Sequence, residues 1–268
     1  MCLIALALDA HPRYALVIAA NRDEFFERPT VPLDWWQPGK DAAPILSGRD
    51  LTAGGTWLGL ARNGRIGMLT NVRAPERQRA DAPSRGALVP AWLGTQDTPA
   101  AHWPSVLSKS CNPFNLIGGD LATGQWWWGR DDSAQPHPMG RGVFGLSNAA
   151  LDTPWPKVQG LKQTMQRALA ADDETALVGT LFAALADDRP AADAELPDTG
   201  VGLERERWLS PAYIRTPDGR YGTRCSTLVL GQREGTGWRL AVSERSFDAQ
   251  GSVIDERRVD WTWRAPLT

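Results

Sequence analysis

The second residue of the chain is a cysteine, placed directly behind Met1 at the head of an apolar run, MCLIALALDA. Two readings fit that placement. Cys2 is a small buried residue that happens to fall there, or Met1 is removed and Cys2 becomes the first residue, with a thiol and a free amine on one carbon. The second reading is chemistry. An α-amine titrates near ~8, so its neutral form can accept the thiol proton near physiological pH without any histidine. Such a unit still needs a group to hold the amine, charges that favour the thiolate, and donors for a tetrahedral oxyanion. Polar residues at the ends of apolar runs are the candidates: Asn21-Arg22-Asp23-Glu24, Asn71, Ser147-Asn148 and Arg224. Taken singly, each also reads as a capping or turn residue.

Other chemistries lack their residues. His11, His102 and His137 stand in loop-like surroundings and outside any HExxH pattern, so neither a metal nor a cofactor is expected. GRDLTAG at 48–54 has the glycine spacing of a phosphate loop, but Gly55 occupies the place of its lysine, and GLSNA at 145–149 lacks the last glycine of a nucleophile elbow. With 29 Lys and Arg against 31 Asp and Glu, a formal charge of -2 and no basic stripe, nucleic acid is not an expected partner. The apolar run at 3–8 is too short to span a bilayer, and no basic segment precedes it, so neither a membrane segment nor a signal peptide is expected. Cys2, Cys111 and Cys225 form an odd set without CxxC spacing, which argues against a disulfide framework and for the cytoplasm. The 13 Trp read first as core, with an aromatic wall for an apolar ligand as the sharper alternative.

The elements that would position these residues follow from periodicity. Residues 2–8 and 14–20 read as a hairpin, 28–44 as a proline-rich irregular excursion, and 56–62 with 65–71 as a second hairpin, for which Asn63-Gly64 signals a type I′ turn. Ser84 is a candidate N-cap for a short helix, and another helix is expected over 100–108. A hairpin is expected at 114–121 and 125–130, and a strand at 142–147. Two amphipathic helices follow, at 155–171 with Val158, Leu161, Met165 and Leu169 on one stripe, and at 173–186 with Leu177, Leu181, Phe182 and Leu185. After a polar linker at 189–200, strands are expected at 223–230, 238–244 and 253–263. Antiparallel strands with paired helices predict an α+β fold, read as a single domain over 1–268.

Several ordered motifs then carry a family resemblance: Asn21-Arg22-Asp23-Glu24 at this distance from Met-Cys, GGTWLGLARNG at 54–64, LTNVRAP at 69–75, SRGALV at 84–89, GLSNAALDTPWPK at 145–157 and YGTRCST at 221–227. Together they resemble the NRDE family, which includes the transport and Golgi organisation 2 proteins, over nearly the whole chain. That family is similar to the N-terminal nucleophile hydrolases of the bile salt hydrolase and penicillin V acylase type, which implies a four-layer αββα sandwich of antiparallel sheets. The resemblance implies Cys2 as nucleophile, Asp23 as the carboxylate on its amine, Asn71 and Asn148 as oxyanion donors, and Arg224 as an arginine near the sulfur. Those acylases carry an arginine three residues before the aspartate, where this chain has Ala20, while Arg22 directly precedes Asp23 and is the candidate in its stead.

Two functions follow. One is an N-terminal cysteine hydrolase cleaving an amide or thioester of a small, partly apolar substrate. The other is a non-enzymatic binder or trafficking protein for a hydrophobic cargo such as haem or an acyl chain. On the enzyme reading the Cys2 thiolate is favoured, with a pKa below the ~8.5 of a free cysteine. Strand alternation adds that only one of Asp23 and Glu24 faces the amine, and that Cys225 points away from the side that Arg224 shares with Cys2.

Overall fold

Why β1 (Cys2–Leu8) carries no polar residue is explained by its position: it lies inside a sheet, and all seven of its residues are buried. The computed structural model describes residues 2–170 and 173–264, so the expected removal of Met1 lies outside the described residues. The chain divides into two compact units. One takes in the chain through Glu27 together with Arg141–Thr262, and the other takes in Arg28–Gly140 and the chain from Trp263.

In the first unit β1 pairs antiparallel with β2 (Leu16–Phe25), and the sheet continues through β11 (Tyr221–Glu234), β12 (Gly237–Phe247) and β13 (Val253–Arg264). On the other side β1 pairs with β10 (Gly142–Leu146). The β1–β2 loop is tied by His11, whose Nδ1 accepts from the backbone N–H of Arg13 and Tyr14, so this histidine serves a turn. Helix α3 (Pro156–Ala168) starts with Pro at its first position, where a missing N–H costs nothing. Helix α4 (Glu174–Leu185) is capped by Asp173, whose carboxylate accepts from Thr175 and Ala176 N–H. The expected stripes of both helices are buried, Val158, Leu161 and Met165 on α3 and Leu177, Leu181 and Leu185 on α4. They pack on the sheet face that presents Leu3, Ala5, Val17, Ala19, Leu228 and Leu230.

The second unit holds a seven-stranded sheet in the order β3 (Thr30–Trp36), β4 (Ile45–Asp50), β5 (Leu58–Ala61), β6 (Arg65–Asn71), β7 (Phe114–Asp120), β8 (Gln125–Arg130) and β9 (His137–Met139). Two helices, α1 (Leu88–Gly94) and α2 (Pro99–Ser108), bring Leu88, Trp92, Trp103 and Val106 to its core. Ser84 does serve as a cap, accepting from Gly86 N–H at the 3-10 turn that leads into α1. Trp127 meets Trp92 and Trp103 edge to face, with centroids 4.9 and 5.7 Å apart, so this part of the Trp excess is core.

The expected α+β class with antiparallel sheets is what the chain forms, and each unit has one sheet and one helical cover. Two local expectations are corrected, and one element was not foreseen. The excursion at 28–44 is not wholly irregular, because Thr30–Trp36 forms β3 and pairs with β4 across a register irregularity between Val31 and Asp34; Pro32 within it fits an edge strand. The β5–β6 turn is not type I′: Gly64 N–H bonds Ala61 O at 3.0 Å, and only Gly64 takes positive φ, at 90°. Helix α5 (Leu203–Trp208), within the stretch that follows the linker, had no periodic stripe to announce it.

Candidate active site

The candidate site is assembled by register in the first unit. Cys2 pairs across with Arg22, and Arg22 pairs on its other side with Cys225. Directly opposed residues of an antiparallel pair project to the same face. Cys2, Arg22 and Cys225 therefore form a row on the face away from α3 and α4. Leu3, Asn21 and Ser226 form the adjacent row on the helical face.

A bulge interrupts β11 at this point. Thr223 pairs with Asp23 and Cys225 with Arg22, so Arg224 is the extra residue. A bulge places two residues of one strand against one of the other and breaks the alternation. That corrects the expectation that Cys225 points away from the side of Cys2. Arg224 sits over the Phe26 ring, 5.1 Å from its centroid, and donates to Phe25 O at 2.8 Å.

The four-residue motif at 21–24 divides by face. Asn21 is a structural tie: its amide donates to Leu185 O and Ala212 O, both at 2.8 Å, while its Oδ1 accepts from Ser226 at 2.6 Å. Asp23 is buried, accepting from Thr223 Oγ1 at 2.8 Å through Oδ1, and its backbone carbonyl accepts from Tyr221 OH at 3.0 Å. Thr223 Oγ1 in turn accepts from Ile214 N–H at 2.9 Å. Arg22 is buried with Glu24 on its own side, Nη2 to Oε2 3.8 Å. The two carboxylates thus have different neighbours, Asp23 inside and Glu24 half-buried.

Asn148 follows β10, which is held against β1 by the Ile4–Leu146 pair. It is buried, and Ser147 connects it to the head of β1. Ser147 Oγ lies 3.1 Å from both Cys2 O and Asn148 Oδ1, and its single hydroxyl proton serves one of them at a time. Cys2, Arg22, Asp23, Asn148 and Arg224 are thus brought to one end of one sheet. Asn71 closes β6 in the second unit, paired in register with Phe114. Thr223 and Ser147 join the site through bonds that sequence reasoning did not foresee. The sequence signals for Thr223 were its place in YGTRCST and at the head of an expected strand, neither of which points to Asp23.

Electrostatics run against one expectation. Burial pushes the Cys2 thiol above the ordinary cysteine range, with the Asp23 and Glu24 carboxylates adding to it and the Arg22 guanidinium opposing. Burial thus works against the thiolate that the enzyme reading expects. Burial also raises Asp23, against the downward pull of Lys157, the Thr223 hydrogen bond and Arg22. Cys225 is raised well above its ordinary value by burial, then by Glu244. Burial lowers Arg224, and its repulsion from Arg22 lowers it further. Among the described residues no group of three or more His, Cys, Asp or Glu could hold a metal ion, and no helix is long and apolar enough to cross a membrane.

The family model described as Transport and Golgi organisation 2 matches residues 1–249. The chain belongs to that family. It is similar to the Transport and Golgi organization 2 homolog of Mus musculus, 34% identical over 265 residues that cover 92% of this chain and 93% of the mouse protein. The Homo sapiens homolog is 33% identical over 283 residues, 98% of this chain and 99% of that one, and the Drosophila melanogaster protein is 26% identical over 253 residues, 86% and 87%. Among solved structures, the Caenorhabditis elegans N-acylethanolamine-hydrolyzing acid amidase ortholog is similar with a TM-score of 0.46 at 11% identity, covering 85% of this chain and 92% of that one. In this member of the Transport and Golgi organisation 2 family, the Asn-Arg-Asp-Glu segment therefore does two jobs. Asn21 anchors the strand to the helical layer, and Arg22 with Asp23 flanks Cys2.

Proposed function

We propose that the protein is an N-terminal cysteine hydrolase that cleaves an amide or thioester bond of a small, partly apolar substrate. The observation that carries this reading is the pairing of Cys2 with Arg22 next to the buried Asp23. With Met1 removed, the Cys2 amine takes the thiol proton as Sγ attacks the carbonyl, which forms the S–C bond and a tetrahedral oxyanion. The raised thiol suits this order of events, because the proton then leaves during attack and goes to a base on the same residue. Asp23 holds the ammonium so formed, and Asn148 donates to the oxyanion. The ammonium returns the proton to the leaving amine or thiol as the C–N or C–S bond breaks, and water then hydrolyses the thioester on Cys2. We place the protein in the cytoplasm on its three free cysteines.

The names of the relatives speak of transport and Golgi organisation, and a cargo binder is the competing reading. Intact-mass analysis after incubation with a mixed library of amides and thioesters separates the two. The expected result is an acyl adduct on Cys2, released product, and neither in Cys2→Ala. Reversible binding without any adduct in a preparation lacking Met1 would overturn the hydrolase.

A further inference from the structure

On the face that carries Cys2, the bulge sets Arg224 and Cys225 against Arg22, so two guanidiniums share one strand end. Glu24 is a carboxylate that acts on both of them there, 3.8 Å from Arg22, and its Oε1 also accepts from Phe25 N–H at 2.9 Å. Asp23 lies in the neighbouring row, engaged by Thr223. Arg224 lies over the Phe26 ring, 5.1 Å from its centroid. Guanidiniums presented in a fork beside aromatic surface suit a carboxylate or phosphate attached to an apolar body.

We propose that Arg224, seconded by Arg22, is an anion-recognition site, and that the substrate of Cys2 is an amphiphile whose carboxylate or phosphate docks there. This rests on Cys2 as the reacting centre. Arg224 is assigned a specificity role, distinct from activation of the sulfur. The mutual repulsion of Arg22 and Arg224 is then relieved when an anion lies between them. Glu24 works against the anion, which makes its removal a gain.

The test uses two reagents that differ only in charge, iodoacetate and iodoacetamide. Both alkylate Cys2 by forming an S–C bond and releasing iodide, and neither requires turnover. The ratio of their rates at Cys2, read by peptide mapping and divided by the same ratio for free cysteine, measures anion preference. An adjacent guanidinium should lift it about tenfold at low salt, with less at high salt as screening sets in. Arg224→Gln should remove most of that preference, Arg224→Lys should keep part of it, and Glu24→Gln should raise it. A ratio near that of free cysteine in the wild type, or one unmoved in Arg224→Gln, overturns the proposal. If neither reagent reaches Cys2, the same difference is read as the rise in unfolding midpoint with phenylacetate over phenylacetamide; no difference in the wild type, or the same difference in Arg224→Gln, also overturns it. A clear iodoacetate preference with no acyl adduct from the library would sink the hydrolase while leaving the anion site standing.

Discussion

Thr223→Val tests whether Asp23 is held in place by the hydroxyl next to it. Thr223 is fully buried, and its Oγ1 both donates to Asp23 Oδ1 at 2.8 Å and accepts from Ile214 N–H at 2.9 Å. Valine matches the shape and removes both bonds. A hydrogen bond to a carboxylate contributes about 1.5–3 kcal/mol, and a buried N–H left without its acceptor costs about 1–3 kcal/mol, so a loss of about 3 kcal/mol is expected. For a chain of this size each kcal/mol moves the unfolding midpoint by about 2 °C, which gives a fall of about 6 °C. Thr223→Ser keeps the hydroxyl and should fall by about 2 °C for its lost methyl. The hydroxyl also holds the Asp23 carboxyl down against burial. Without it Asp23 rises further, so the acid limb of Cys2 acylation should move to higher pH in the valine variant and stay put in the serine one. Differential scanning calorimetry gives the first readout and acylation rate against pH the second. A valine variant that melts with the wild type, or a serine variant that falls as far as valine, would refute the reasoning.

On the proposed mechanism Asp23→Asn should abolish acylation of Cys2, while Glu24→Gln leaves it within about threefold, because Asp23 is buried whereas Glu24 is half-buried and set toward Arg22; equal losses would move the site elsewhere. Since burial raises the Asp23 carboxyl, the folded state keeps a proton that the unfolded chain has lost, and stability falls as pH climbs from the ordinary carboxylate range to the folded value. Urea midpoints of wild type minus Asp23→Asn should decline over that window, and a rising difference would contradict the sign. Asn148→Ala should slow acylation by about 10²-fold or more through loss of an oxyanion donor, with an unfolding midpoint lowered by only about 2 °C for the bond from Ser147; normal acylation with a much lower midpoint would make it a structural turn residue. The alkylation rate of Cys2 should keep climbing past ~8.5, the pKa of a free thiol, because burial raises it, and a plateau near neutrality would mean that the thiolate is favoured after all.

Local chemistry in the sequence determined most of the elements. Alternation and turn residues marked the β1–β2, β5–β6 and β7–β8 hairpins, and 3.6-residue periodicity marked α3 and α4 down to the buried positions Leu161, Met165, Leu177 and Leu181. Ser84 was legible as a cap, because capping is a contact over two or three residues. Site candidates were legible as polar residues at the ends of apolar strands, and the motifs around them carried the family. What only the tertiary structure decided depends on partners distant in the chain. Asn21 reads like its neighbours in sequence, yet it is spent on Leu185, Ala212 and Ser226, up to 205 residues away. The bulge between Thr223 and Cys225 exists only in the register of β11 against β2, and a one-residue shift is enough to bring Cys225 to the face of Cys2. The upward direction of the Cys2 shift has a related cause. Charge neighbours can be guessed from sequence, whereas desolvation is set by everything packed around the sulfur, and here it outweighs them.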